Sequence, residues 1–550
     1  MMEDRLAAVF VGAEIEDNLA IRTLAGAVRA AGMPAGFARF NSRDEIPAVV
    51  DRVVADGPAL VGLSMAFQHR APEFLALAEA LRARGYGGHI CAGGHVATVM
   101  AGTVLSSCAA VDTALGHEAE DGIVRLLRAD GDRGAWGGIP ALAWRDEAGV
   151  VRCNPPAPVP RDLDVLPLPV RDTPLHRHLG LPFAPLAGSR GCYGSCRFCA
   201  ICTFHRLRPG PRLRFRTPGH VAREMAGLYH EHGARIFCFH DETMLLPRPA
   251  QSLRRLGELA DHLRRLGVGR IAVIGKARPD ALEPGLLGEL RERLGLMRLY
   301  VGIENWSANG LLHLGRGVGP EVAVRALEAC RATGVYGCYN LLLFEPEATL
   351  ADVEDNLAGM ERFGDVPVNF CRAEAYAGTA LWTDLQRAGR LRSDGFATDY
   401  TLADPLVERL FQIVRQAFRD RNFSADGLAN MAMGFGYERQ LLRHFVPGPD
   451  PRLDPLLREV DALIVAIGAD TRRHLGKALG WVREHPGASA AEASEVTYEL
   501  ASEINFGGVA LQERVFELRA EMNGFARTSA AFRENAALGG PAVGSLGGAR

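Results

Sequence analysis

The expected fold class is α/β in two successive stretches, followed by an all-helical region. Three observations predict it. Short apolar runs alternate with amphipathic stretches over residues 6–128, the alternation resumes from 183 to about 389, and beyond 400 strand signals give way to helical periodicity. At 550 residues the chain also exceeds one ordinary core, and about 150 residues per domain suggests three or four domains.

In order, residues 6–11 read as the first strand and 18–31 as its helix. Val61-Gly-Leu-Ser-Met is a strand followed by a helix over 73–84. His89-Ile-Cys-Ala-Gly-Gly runs into a glycine turn, and Val111-Asp-Thr-Ala-Leu-Gly is a further strand with a helix over 120–128. In such a Rossmann-like parallel sheet, ligands bind at the carboxyl ends of the strands, where Ser64, Gly93, Gly94 and Gly116 fall. No Gly-x-Gly-x-x-Gly turn follows the first strand, which argues against a dinucleotide, though another nucleotide remains open.

Residues 131–180 read as a connector, with a hairpin around Glu147-Ala-Gly and an extended, proline-rich stretch over 154–169. The second alternation has strands near 183, 236, 271, 298, 339 and 368, six strand-helix repeats in all. Helical periodicity then covers 406–420, 429–445, 455–479, 490–504 and 510–522. These helices are expected to cap the mouth of the preceding domain. The Ala- and Gly-rich tail over 528–550 is expected to be disordered.

The formal net charge is -3 with both signs interspersed, so composition carries no footprint of nucleic acid or membrane. The 11 cysteines are too irregularly spaced for a secreted disulfide scaffold. Neither a long apolar segment before Glu14 nor a run of membrane-spanning length is present. A cytoplasmic protein is expected.

The chemistry concentrates in Gly188-Ser-Arg-Gly-Cys-Tyr-Gly-Ser-Cys-Arg-Phe-Cys199. Its thiols Cys192, Cys196 and Cys199 are close enough for one loop to wrap them around an iron-sulfur cluster, leaving one iron without a protein ligand. A zinc site would need a second paired cluster, and none is apparent. Cys202 extends the run, so a four-thiolate site stays open.

This stretch resembles the signature of the radical S-adenosylmethionine (SAM) superfamily, Cys-x3-Cys-x-aromatic-Cys, with Phe198 at the aromatic position. The resemblance implies a partial (β/α)6 barrel and a 4Fe-4S cluster whose open iron chelates SAM for cleavage to a 5'-deoxyadenosyl radical. It places SAM contacts at Phe198, at Asp241 and Glu242 in His240-Asp-Glu-Thr243, at Glu304 in Gly302-Ile-Glu304, and at Arg316, with Lys276 and Arg278 beside them on the rim.

Gly62-Leu-Ser64, Ala92-Gly-Gly94 and Gly116-His-Glu118 resemble the cobalamin-binding domain that often precedes a radical SAM domain. Cobalamin contacts are then implied at Ser64, Gly93, Gly94, Gly116 and Glu118. The loop Gly12-Ala-Glu-Ile-Glu-Asp-Asn-Leu lacks the histidine that many such domains give to cobalt, and His69, His95 and His117 read as polar lining.

The expected organisation is a cobalamin-binding domain over 1–130, a connector over 131–180, a radical SAM barrel over 181–392, helices over 393–527 and a tail over 528–550. The implied activity is methyl transfer from methylcobalamin to an unactivated carbon of a small natural product or a peptide, with flavodoxin or ferredoxin as electron donor. No single catalytic side chain is assigned. A non-methylating rearrangement or cyclisation uses the same cofactors, and a non-catalytic cobalamin or redox sensor is the reading from another class. Methylthiotransfer is disfavoured, because no further three-cysteine set and no basic RNA-binding module is seen.

Overall fold

The computed structural model describes residues 6–537. They divide into two compact units, each drawing on more than one of the expected blocks: residues up to 174 with 187–217 and 374–400, and residues 175–186 with 218–373 and 401 onward.

The first unit is built on a sheet in the order Ala35–Arg39, Ala8–Gly12, Leu60–Ser64, His89–Gly93, Thr113–Leu115, Leu142–Arg145, Val151–Cys153. The first five strands are parallel, as continuous apolar runs buried on both faces require. Alternation divides their side chains: Val9, Val11, Val61, Leu63 and Ile90 enter one core, and Ala8, Phe10, Leu60, Cys91 and Leu115 the other. The strand order reverses between Ala8–Gly12 and Leu60–Ser64, where doubly wound sheets open a crevice for ligands.

The hairpin expected in the connector is instead the antiparallel edge of this sheet. Leu142–Arg145 pairs with Thr113–Leu115, because Leu142 and Ala143 fill the same two cores. The strand Ala35–Arg39 was not expected; Ala-Gly-Phe-Ala-Arg carries too little apolar signal, and pairing with Ala8–Gly12 makes it a strand.

Residues 187–217 and 374–400 complete the unit. Ser189–Arg190 pairs antiparallel with Arg214–Phe215, closing a loop that contains the three signature cysteines and the helix Ala200–Arg206. In the later segment Phe396 joins the sheet's core, and Gln68 ties it down with hydrogen bonds of 2.9 Å to the Phe396 carbonyl and from the Ala377 N–H.

The second unit carries the open, barrel-like parallel sheet Val368–Arg372, Tyr336–Phe344, Leu296–Val301, Ala272–Ala277, Ile236–Phe239, Leu181–Leu186, edged by the antiparallel strand His176–His178. Here the six repeats expected from the sequence are present. The helices Leu428–Phe445, Leu453–Glu484 and Ala490–Thr528 pack on Leu181, Phe183, Ile236, Ala272 and Met297, residues at the starts of the strands. They therefore seal the amino ends of the sheet rather than capping its mouth. The helices expected over 490–504 and 510–522 form one helix, 39 residues long, because nothing in Asn505-Phe-Gly-Gly-Val forces a stop once Val496, Leu500, Val515 and Leu518 are buried along it. Residues 530–537, expected to be disordered, form the helix Ala530–Ala537, and Phe532 is buried in the same core. The rest of the expected tail lies outside the described residues. No described helix is long and apolar enough to cross a membrane.

Candidate functional site

The cysteine loop belongs to the first unit. Cys196 is buried, Cys192 and Cys199 are half-buried, and none of the three is in a disulfide. The Gly194 N–H points at Cys192 Sγ, 3.3 Å away, the kind of backbone donor that stabilises a cluster thiolate. Cys199 sits at the amino end of Ala200–Arg206. Its acidity is held at about 7, first by hydrogen bonding from the Cys202 thiol and then by the Cys202 and Ile201 N–H groups, against the opposing effect of burial. The buried Cys202 thiol is pushed strongly upward, first by its hydrogen bonds with Cys192 and Cys199 and then by burial, and its sulfur lies 3.4 Å from the Gly194 carbonyl oxygen, so it stays a neutral thiol. Among the described residues no three His, Cys, Asp or Glu side chains converge on a single-ion site. A cubane does not ask for that, since each thiolate takes a different iron. Glycine is obligatory at 191: with φ +94° a Cβ would lie 1.7 Å from the Arg212 carbonyl oxygen. Phe198 is half-buried in the loop.

The implied cobalamin residues lie at the carboxyl ends of the same unit's sheet. Ser64 ends its strand in register with Gly93. Gly94 opens the helix Gly94–Ser107 at φ +87°, and a Cβ there would stand 2.8 Å from the Met65 carbonyl oxygen, so the backbones approach as only glycine allows. Around Gly93 the nearest atoms to such a Cβ are 3.8 Å away, and at Gly116 the nearest is Thr98 Cα at 3.4 Å. His117 takes φ 60° with its N–H on Thr98 Oγ1 at 2.8 Å. Burial lowers the imidazole pKa values of both His95 and His117, and their rings flank Phe204 at 4.7 and 5.6 Å. In the loop after the first strand, Glu14 pairs with Arg22 and Asn18 caps the next helix.

Glu118, expected as a cobalamin contact, is engaged by three arginines. Its buried carboxylate is ion-paired with Arg190 at 2.8 Å, with Arg208 at 2.9 Å and with Arg214. Burial alone would raise its pKa, but Arg190, Arg214 and Arg208 outweigh it and hold the carboxyl below its ordinary range.

The implied SAM residues lie in the second unit. Asp241 is fully buried, with its charge acting on the half-buried Arg255, and Glu242 is half-buried beside it. Glu304 stands in left-handed backbone at φ 68°, a strained conformation for a carboxylate-bearing residue. Its carbonyl accepts from Leu342 N–H at 2.6 Å, which locks the turn. Burial raises the Glu304 pKa, and Arg316 and Arg278 offset this only in part. Arg316 Nη1 is 4.0 Å from Glu304 Oε1, its Nη2 donates to the Gly302 carbonyl, and Arg278 donates to the Arg316 carbonyl at 2.7 Å. These residues form one carboxylate-guanidinium group after the strand Leu296–Val301.

A polar row crosses the strands, and only its Lys276 was singled out from the sequence. Lys276, Tyr300 and Cys338 are register neighbours on adjacent strands, and Asn340 pairs with Asn369. Lys276, Tyr300 and Asn340 are half-buried where their strand neighbours are buried, Asn369 is half-buried too, and the Asn340 Oδ1 has no hydrogen-bond partner among the described residues. The signal was the period-2 polarity inside runs read only as apolar.

Residues 7–127 match the B12 binding domain, and residues 186–358 match the Radical SAM superfamily. Two curated relatives are similar over long stretches. An uncharacterized methyltransferase of Pyrococcus horikoshii is 25% identical over 59% of this chain and 70% of its own length. The hopanoid C-3 methylase of Methylococcus capsulatus is 27% identical over 52% of this chain and 53% of its own. Among solved structures, the cobalamin-dependent SAM radical enzyme OxsB with aqua-cobalamin bound matches 95% of this chain and 84% of its own, with a TM-score of 0.66 and 14% identity. The SAM methyltransferase TsrM from Kitasatospora setae, with cobalamin and a [4Fe-4S] cluster bound, matches 71% of this chain and 76% of its own, with a TM-score of 0.57 and 17% identity. At such identities these two likenesses speak for the fold. An α/β sheet for B12 followed by a radical SAM sheet defines the class, a protein that works with cobalamin, SAM and a 4Fe-4S cluster. In its two domains and in its fold the chain resembles the cobalamin-dependent radical SAM enzymes.

Proposed function

We propose that the chain is a radical SAM C-methyltransferase, transferring a methyl group from methylcobalamin to an unactivated carbon of a natural-product-type substrate. The observation that carries this is the pairing of a B12 sheet with a three-cysteine loop in one chain whose two curated relatives are named for methyl transfer. The bound cofactors supply the electron, the radical and the methyl group. The protein holds and orients them.

Cys192, Cys196 and Cys199 would hold three irons, with Cys202 kept as a thiol behind them and Phe198 alongside. Ser64, Gly93, Gly94 and Gly116 leave backbone room for cobalamin at the strand ends. Arg316 offers a donor for the SAM carboxylate, and Glu304 an acceptor for its amino or hydroxyl protons, with Glu242 on the neighbouring loop. Lys276, Tyr300 and Asn340 give the open sheet polar groups able to fix a small substrate. Cysteines outside disulfides and a reducible cluster suit the cytoplasm and a low-potential donor such as flavodoxin or ferredoxin.

The test is anaerobic reconstitution with iron, sulfide and hydroxocobalamin, followed by incubation with SAM, reductant and candidate natural products. About four irons and one cobalt per chain, with a product gaining the mass of one methylene, support the proposal. Cofactors with turnover but an unchanged or lower product mass would favour rearrangement, and cofactors without SAM cleavage would favour a sensor.

A further inference from the structure

Both ends of the cysteine loop and the helix inside it converge on one carboxylate of the B12 sheet. Glu118 lies just past Thr113–Leu115, its side chain only 7% exposed. Arg190 and Arg214, which meet it, are register partners at the neck of the loop. Arg208 follows the helix Ala200–Arg206; its fully buried guanidinium reaches Glu118 at 2.9 Å and His205 Nδ1 at 2.7 Å. Arg190 also donates to Glu120 at 2.5 Å, and Arg214 to the Pro160 carbonyl at 2.7 Å.

The group is not neutral. Three guanidinium charges, of Arg190, Arg208 and Arg214, face two carboxylates, of Glu118 and Glu120, leaving one positive charge. Arg208 Nε and Nη1 and Arg214 Nε are buried without an acceptor among the described residues, so donors of this group remain unmet. His205, held neutral, adds nothing: burial first, then Arg208, lowers it to about 3. This positive group sits at residues 190, 208 and 214, on either side of cysteines whose thiolates would make the loop negative. A cluster's potential follows the net charge around it.

We propose that Glu118 is a positioning residue for the cluster: it latches the cysteine loop onto the strand end of the B12 sheet, and its arginine group, positive by one charge, sets the potential at which the cluster accepts an electron. The proposal rests on the reading of Cys192, Cys196 and Cys199 as cluster ligands.

The experiment is a redox titration of the full chain, reconstituted anaerobically with iron and sulfide and followed by electron paramagnetic resonance, for wild type, Glu118→Gln, Glu118→Asp and Arg208→Gln. Removing the negative charge in Glu118→Gln shifts the midpoint potential upward, and removing the positive charge in Arg208→Gln shifts it downward. Glu118→Asp, which keeps the charge, stays near wild type. A merely structural anchor would give shifts of one sign, or none. Should Glu118→Gln or Arg208→Gln lose its irons, Glu120→Gln and Arg190→Gln make the same comparison from the edge of the group. Equal-signed or absent shifts in variants that retain their irons overturn the proposal while leaving the cluster reading intact. A wild-type chain that binds no cluster removes that reading and the proposal with it.

Discussion

Glu304 holds its carboxylate on backbone that costs about 1–2 kcal/mol for any residue with a Cβ, and strain of this kind persists where the side chain has a task. Glu304→Gly should leave thermal stability unchanged or slightly raised, because glycine adopts φ 68° freely. SAM affinity, measured by equilibrium dialysis on the reconstituted enzyme, should fall at least about tenfold, the loss of one charge-assisted hydrogen bond. Retained affinity would make Glu304 a rim residue only. The raised Glu304 pKa has a sign of its own. The carboxyl takes up its proton at a higher pH than an ordinary glutamate, so SAM binding should weaken on acidification earlier than usual carboxylate titration predicts, and Glu304→Gln should lose that pH dependence. Gly-Ile-Glu after a strand made Glu304 a candidate in the sequence, whereas nothing in His-Asp-Glu-Thr says that the Asp241 carboxylate is the one buried toward Arg255.

At the scale of elements, the glycines after His89–Gly93 separate two roles. Gly94→Ala should destabilise the first unit by about 2 kcal/mol or more, since its φ is +87° and Met65 O stands in the way. Gly93→Ala meets nothing closer than 3.8 Å and should fold like wild type while weakening cobalamin binding, followed by absorbance titration. Equal cobalamin affinity in Gly93→Ala would move the cofactor away from that strand end. In the second unit, His444 on Leu428–Phe445 bonds the Ile271 carbonyl at 2.8 Å, and burial, with Arg270 and Arg291, lowers it to about 4. The unfolded chain protonates near 6.5 and the folded one does not, so this contribution is intact above about pH 6.5 and is lost as the pH falls toward 4. Denaturant midpoints across that window should slope less steeply in His444→Gln. The long helix Ala490–Thr528 marks what local pattern misses: Gly507 and Gly508 weaken propensity, but burial on either side of them keeps the helix whole.

For the whole molecule, replacing Cys192, Cys196 or Cys199 by Ala should abolish SAM cleavage and leave cobalamin binding largely intact, because the B12 sheet's cores do not use the thiols. Cys202→Ala should keep about four irons, as a three-thiolate cluster requires; loss of iron there would restore the four-thiolate reading. The sequence by itself determined the fold class and the thiol spacing that points to a cluster. Three cysteines at fixed spacing need only one loop, and buried parallel strands need only apolar runs, so both are local properties of the chain. Only the tertiary structure decided that the hairpin at 142–153 finishes the B12 sheet, that the late helices close the strand starts, and that Glu118 answers to arginines 72, 90 and 96 residues further on. The physical reason is the same in each case. A buried charge or an exposed apolar face must find its partner wherever the fold brings one, and spacing along the chain carries no record of that distance.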